Sequence, residues 1–74
     1  MKIGRLIWDG SIKRPDVKYE DGGYYGGLHC GNTLEVSIDN KWVATRIEYR
    51  DSSENWYLVD IENDEDILGL IVRI

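Results

Sequence analysis

Apolar and polar positions alternate with a period of two along most of this chain, the signature of strands with one buried face. The cleanest stretch is residues 33–38, where Leu34, Val36 and Ile38 alternate with Glu35 and Ser37. Asp39-Asn40-Lys41 supplies a turn, and residues 42–49 follow with Val43, Thr45, Ile47 and Tyr49 on one face and Trp42, Ala44, Arg46 and Glu48 on the other. These two strands are expected to form the central hairpin. A polar connection over residues 50–55 leads to a further strand, 56–61, with Tyr57, Val59 and Ile61 opposed to Trp56, Leu58 and Asp60. A last strand over residues 70–74 aligns Leu70, Val72 and Ile74.

The first third is less regular. A strand over residues 3–8 ends at Asp9-Gly10, a pair suited to the positive φ angles of a tight hairpin, so the return strand is expected near Ser11-Ile12. Pro15 offers no ladder donor and places its segment at an edge or in a loop, with a short edge strand over residues 17–20. Residues 21–27 set four glycines around Tyr24 and Tyr25, a loop composition. Five to six short strands with tight turns predict an all-β domain, either a small SH3-like barrel or a strongly curved antiparallel sheet, because closure removes exposed edges. The best-patterned part, 33–74, is expected to carry the fold, with the glycine-rich first third attached at its edge.

Composition supports strands: three Trp, five Tyr, no Phe and a single Ala among the residues. Seventy-four residues make one domain, 1–74, with a single core. One cysteine, Cys30, excludes an internal disulfide, and no apolar run is long enough for a membrane span or a signal peptide, so a cytoplasmic protein is expected.

The net charge of −5 is uneven: residues 1–18 carry five Lys or Arg against two Asp, whereas residues 19–74 carry four against twelve acids. An acidic surface of this kind repels a phosphate backbone and argues against generic nucleic-acid binding. A small anionic ligand needs only two or three basic groups and stays open.

Candidate chemistry is sparse. His29 and Cys30 are neighbours, which in an extended chain point to opposite faces, so a Cys–His nucleophile is not expected; Cys30 reads as a small buried hydrophobe and His29 as partly exposed. These two residues are too few for a zinc site. The acidic run over residues 60–66 has oxygen ligands at alternate positions, but Glu65 stands where a calcium loop needs glycine and Ile71 where it needs the closing Glu; a solvated loop is the expectation. Gly26-Gly27-Leu28-His29-Cys30-Gly31 could present several backbone N–H groups to an anion, although a structural bulge is the simpler reading. Neither a metal nor a cofactor is expected.

The aromatic residues exceed what one small core requires. They either cap the open ends of a barrel and cover its outer face, or form a contact surface, since Trp, Tyr and Arg are enriched at interface hot spots. The binding candidates are Trp42, Arg46, Trp56, Tyr24, Tyr25, His29 and Arg73.

The segment Leu28-His29-Cys30-Gly31-Asn32-Thr33-Leu34-Glu35-Val36, the W-x-x-T-R-I-E strand from Trp42, the Trp56-Tyr57-Leu58-Val59 strand and the ending Gly69-Leu70-Ile71-Val72-Arg73-Ile74 together resemble a family of small uncharacterised proteins from phages and mobile elements of Gram-positive bacteria. The resemblance covers residues 28–74 and brings no catalytic residues with it. It implies an accessory protein acting in the bacterial cytoplasm. Three functions follow as expectations. The first is a non-enzymatic anti-defence inhibitor whose acidic, Trp-bearing surface docks on a host protein. The second is a homo-oligomeric sponge for a nucleotide signal, using Arg46, Arg73, Trp42 and Tyr25. The third, less favoured, is an enzyme using His29 with a carboxylate. An acidic DNA-mimicking decoy fits the C-terminal charge but not the basic N-terminal end. Binding is expected over catalysis.

Overall fold

The computed structural model describes residues 1–61 and 66–74. It contains six strands: β1 (Ile3–Asp9), β2 (Arg14–Tyr19), β3 (Thr33–Ile38), β4 (Lys41–Arg50), β5 (Asn55–Leu58) and β6 (Ile71–Arg73). All neighbouring pairs are antiparallel and lie in one sheet in the order β2-β1-β6-β3-β4-β5. The fold is therefore all-β, a strongly curved antiparallel sheet whose outer strands, β2 and β5, do not pair with each other. No helix is long and apolar enough to cross a membrane among the described residues.

The β3–β4 hairpin follows the sequence closely. Asp39 and Asn40 both take positive φ (49° and 64°), as a two-residue turn between right-twisted strands demands, and Asx side chains tolerate that conformation best among non-glycine residues. This hairpin is not the centre of the sheet. The last strand, β6, inserts between β1 and β3, pairing Glu35 with Arg73 and Gly4 with Val72. Nothing local in a sequence announces that insertion, because it joins the two ends of the chain across the middle of the sheet.

Two hairpin expectations need correction. The β1–β2 turn is not a two-residue Asp9-Gly10 turn, and β2 starts at Arg14. The Asp9 carboxylate accepts both the Ser11 amide (2.9 Å) and the Ser11 hydroxyl (2.6 Å), which builds a longer loop that closes through Lys13 at φ 54°. β5 is also shorter than expected and stops at Leu58, because Asp60 turns the chain at φ 61°.

The buried core comprises Leu6, Val17, Leu28, Leu34, Val36, Ile47, Leu58, Ile67 and Val72. It draws on both ends of the sheet, so the curvature wraps one face around a common interior. The first third is thus no loose attachment: β1 lies inside the sheet, and Leu6, Val17 and Leu28 are wholly buried. On β5 the core face is Trp56–Leu58, since Leu58 opposes Ile47, and Ile61, beyond the strand, also packs against the core.

The glycine-rich segment has a structural task. Residues 23–28 run beside β2 and cover its outer edge: the Gly23 carbonyl accepts the Tyr19 amide, and the Tyr25 and Leu28 amides donate to the Val17 and Pro15 carbonyls, all within 2.9 Å. Pro15 sits at a position whose backbone faces away from β1, so its missing N–H costs the ladder nothing. Asp16, 1% exposed, completes the arrangement. One of its carboxylate oxygens accepts the amides of Val17 (2.8 Å), Gly26 (2.9 Å) and Gly27 (2.8 Å). The concave set of backbone N–H groups at Gly26-Gly27 is therefore filled by the chain's own anion. Gly26 and Gly27 hold φ near 110° and 103°, and a Cβ on Gly27 would lie 2.8 Å from Ile12 Cδ1.

Three titrating groups record local contacts. The Ser11 bonds hold the Asp9 carboxyl below its ordinary value of 3.8, and the Gly23 amide with Lys2 does the same for Asp21. Both contributions to stability are present above pH 3.8 and are lost as the pH falls through the lower folded values. Tyr19, whose hydroxyl donates to the Ile74 carbonyl at 3.1 Å, is pushed above its ordinary 10.0, chiefly by burial. The unfolded chain then ionises this phenol first, so stability falls as the pH rises past 10.0 toward the folded value. Urea midpoints measured through this alkaline range are expected to fall in the wild type and to fall less steeply in Tyr19→Phe. Equal slopes would remove Tyr19 as the source.

Candidate functional site

The curvature that buries the core also leaves a mouth where the two ends of the sheet face each other. A cavity of about 530 Å³ lies there, within the ordinary range for ligand sites. Trp8 and Pro15 wall it from the β1–β2 end, and Tyr49 and Trp56 from the β4–β5 end. Buried Ile67 and exposed Leu68 add apolar lining, and Lys13, Cys30, Glu54, Asn55 and Asp66 form the polar rim.

The aromatic groups reach the cavity for a simple reason. Trp8 follows Leu6 by two residues, Tyr49 follows Ile47 by two and Trp56 precedes Leu58 by two, so each carries the core face of its strand one step beyond the packed interior. Trp8 is 48% exposed and Tyr49 37%, whereas Trp56 is half-buried. Tyr49 and Trp56 are cross-strand partners whose ring centroids lie 5.2 Å apart at 60°, tilted like two walls of a corner. With Trp8, three aromatic side chains line one space that Glu54 and Asp66 also line.

Of the seven binding candidates read from the sequence, Trp56 alone lines this cavity. Trp42 and Arg73 meet on the outer face of the sheet, the guanidinium 4.5 Å from the indole, and Arg73 is also ion-paired with Glu35. Arg46, on the same face, pairs with Glu48 at 2.9 Å. Tyr24 and Tyr25 lie in the strip that covers β2, with Lys18 over the Tyr24 ring at 6.0 Å. His29 stands apart again: Arg14 donates to its Nδ1 at 2.7 Å, so the ring proton of that tautomer sits on Nε2. Among the described residues the side-chain partner of His29 is thus a guanidinium and not a carboxylate.

Every arginine is engaged within the chain. Arg5 donates to the Gly69 carbonyl at 2.9 Å and Arg50 lies 4.4 Å from the Tyr57 ring, and Arg14, Arg46 and Arg73 have the partners given above. A phosphate clamp from Arg46 and Arg73 would first have to break two ion pairs. Among the described residues no three His, Cys, Asp or Glu side chains cluster as metal ligands. The acidic run over residues 60–66 falls largely outside the described residues; of its members Asp66 reaches the rim.

Cys30 is exposed and not buried as its residue type suggests, because the His29–Asn32 turn, closed by Asn32 Oδ1 on the His29 amide at 2.7 Å, carries it to the rim. A bulky maleimide is therefore expected to label Cys30 in the folded protein without denaturant, and the adduct to weaken any ligand of the cavity. Labelling that required unfolding would contradict this placement.

Trp8, Tyr49 and Leu68 were not legible as site residues from the sequence. The signal that could have found them is an aromatic residue at the end of a strand in phase with the core.

The domain of unknown function DUF5348 matches residues 4–74. A crystal structure of a protein from Ruminococcus gnavus is similar over 99% of this chain and 100% of that one, with 38% identity and a TM-score of 0.85. No functionally curated protein matches the sequence.

Proposed function

The chain belongs to the DUF5348 family, and from that premise we propose that it is a non-enzymatic binding module whose aromatic cavity docks a segment of a partner protein. The observation that carries this reading is the convergence of Trp8, Tyr49 and Trp56 with Glu54 and Asp66 around one cavity of about 530 Å³. Large aromatic groups left half-exposed in a concave site lose contact with water only when something else covers them, and such groups are the usual anchors of protein contacts. The acidic rim and the net charge of −5 favour a partner with a basic face. In the phage or mobile-element setting that the sequence resemblance implies, that partner is a host protein and the module an anti-defence inhibitor.

The nucleotide-sponge reading draws less support, since Arg46 and Arg73 are already paired with Glu48 and Glu35. Selection of a random displayed peptide library on the wild type, with the double variant Trp8→Ala/Trp56→Ala as counter-target, tests the proposal. Peptides enriched on the wild type and lost on the variant are expected. Peptides enriched equally on both would remove the cavity as the docking site, and tight binding of a nucleotide panel without peptide enrichment would favour the sponge.

A further inference from the structure

Resting on that reading, we infer that the partner segment binds as an added β-strand along the outer edge of β5, directing a Lys or Arg side chain between the cavity's aromatic rings.

The edge is established by hydrogen-bond parity. In an antiparallel ladder the amide and carbonyl of one residue point to the same side, and successive residues point to opposite sides. Ile47 uses its amide and carbonyl toward the Asn32 and Gly31 side (3.0 and 2.8 Å), so Arg46 and Glu48 turn theirs toward β5, as the Val59 amide on the Arg46 carbonyl at 3.1 Å shows. With the register Glu48↔Tyr57 and Tyr49↔Trp56, Tyr57 faces β4, while Trp56 and Leu58 point their backbone groups away from the sheet. Leu58 is buried and its carbonyl accepts the Ile61 amide, whereas the amide and carbonyl of the partly exposed Trp56 have no partner among the described residues. The opposite edge, β2, is covered by residues 23–28. The sheet thus protects one edge and, among the described residues, leaves the Trp56 backbone on the other unpaired beside its aromatic cavity, to which β5 contributes Asn55 and Trp56. Strand addition satisfies such an edge and lets alternate side chains enter neighbouring pockets.

Charge complementarity selects the occupant. Glu54 and Asp66 outnumber Lys13 on the rim, and Trp8, Tyr49 and Trp56 line the same space, aromatic rings of the kind on which a cation stacks. A second copy of this chain would bring a further net charge of −5 against the same rim, which disfavours β5 pairing with itself.

The test uses peptides enriched in the selection above, synthesised with single backbone N-methyl groups. Methylation at every second position is expected to weaken binding about tenfold, the loss of one backbone hydrogen bond at the edge, with little effect at intervening positions. Replacement of the cavity-directed Lys or Arg by norleucine is expected to weaken it by at least as much. On binding, the Trp56 amide should become protected from hydrogen exchange. Tolerance of N-methylation throughout, a proline-rich consensus, or a homodimer by light scattering that buries Trp56 would overturn strand addition while leaving a docking cavity in place. Absence of any peptide dependent on Trp8 and Trp56 would instead overturn the reading on which it rests.

Discussion

Asp16→Ala is expected to destabilise the domain by roughly 3–5 kcal/mol, because it strips three backbone amides of a charged acceptor in a site that water reaches poorly. The donors are those of Val17, Gly26 and Gly27, all held by one carboxylate oxygen. A chain of this length has only about 4–11 kcal/mol of total stability, so the variant should lose a large share of it and should melt about 15 °C or more below the wild type. Asp16→Asn retains a carbonyl oxygen and is expected to lose only about 1–2 kcal/mol. Asp51→Ala, an exposed carboxylate, is expected to stay within about 0.5 kcal/mol. Urea unfolding of the three variants checks the order. If Asp16→Ala were no worse than Asp51→Ala, the carboxylate would not be what fixes the strip along β2.

Trp8→Ala is expected to behave in the opposite way, folding well and binding poorly. The side chain is half-exposed at the mouth, so its removal should cost roughly 1 kcal/mol of stability. As one of three rings around the cavity, it should carry at least about 2 kcal/mol of binding, a loss of about 30-fold in affinity for a docked peptide. Trp42→Ala is the matched control: it removes an indole stacked on Arg73 on the outer face and is expected to leave peptide affinity within about twofold. Calorimetric titration of both variants separates the cavity from the outer face. Equal losses at Trp8 and Trp42 would mean that neither surface is specific.

These two variants also mark what the sequence could and could not convey. Local patterning carries the strands because period-two alternation is a property of neighbours: β3, the Asp39-Asn40 turn and β4 all stand where the pattern puts them. Asp16 gives no such signal. An Asp after Pro15 beside several glycines reads as loop, and only the return of residues 23–28 along β2 turns it into a buried acceptor. The same holds for the cavity. Trp56 could be singled out as a surplus aromatic, and Tyr49 is its partner across the β4–β5 pair, but Trp8 comes from a strand distant in sequence and joins them because β6 inserts between β1 and β3. Trp42 and Arg73 looked equally promising and are paired on the outer face, since strand parity places Trp42 there and β6 brings Arg73 beside it through Glu35.

The central claim is that the mouth between the β1–β2 and β4–β5 ends is where this domain meets its partner. Amide and indole NMR shifts of the labelled protein, titrated with a peptide enriched on the wild type, test it most directly. The largest changes are expected on the Trp8 and Trp56 indoles and on the amides of Asn55, Trp56, Leu58 and Leu68, with Trp42, Arg46, Tyr24 and Tyr25 unmoved. Largest changes on the Trp42 and Arg73 face, or on the glycine-rich strip, with silent Trp8 and Trp56 indoles, would contradict it.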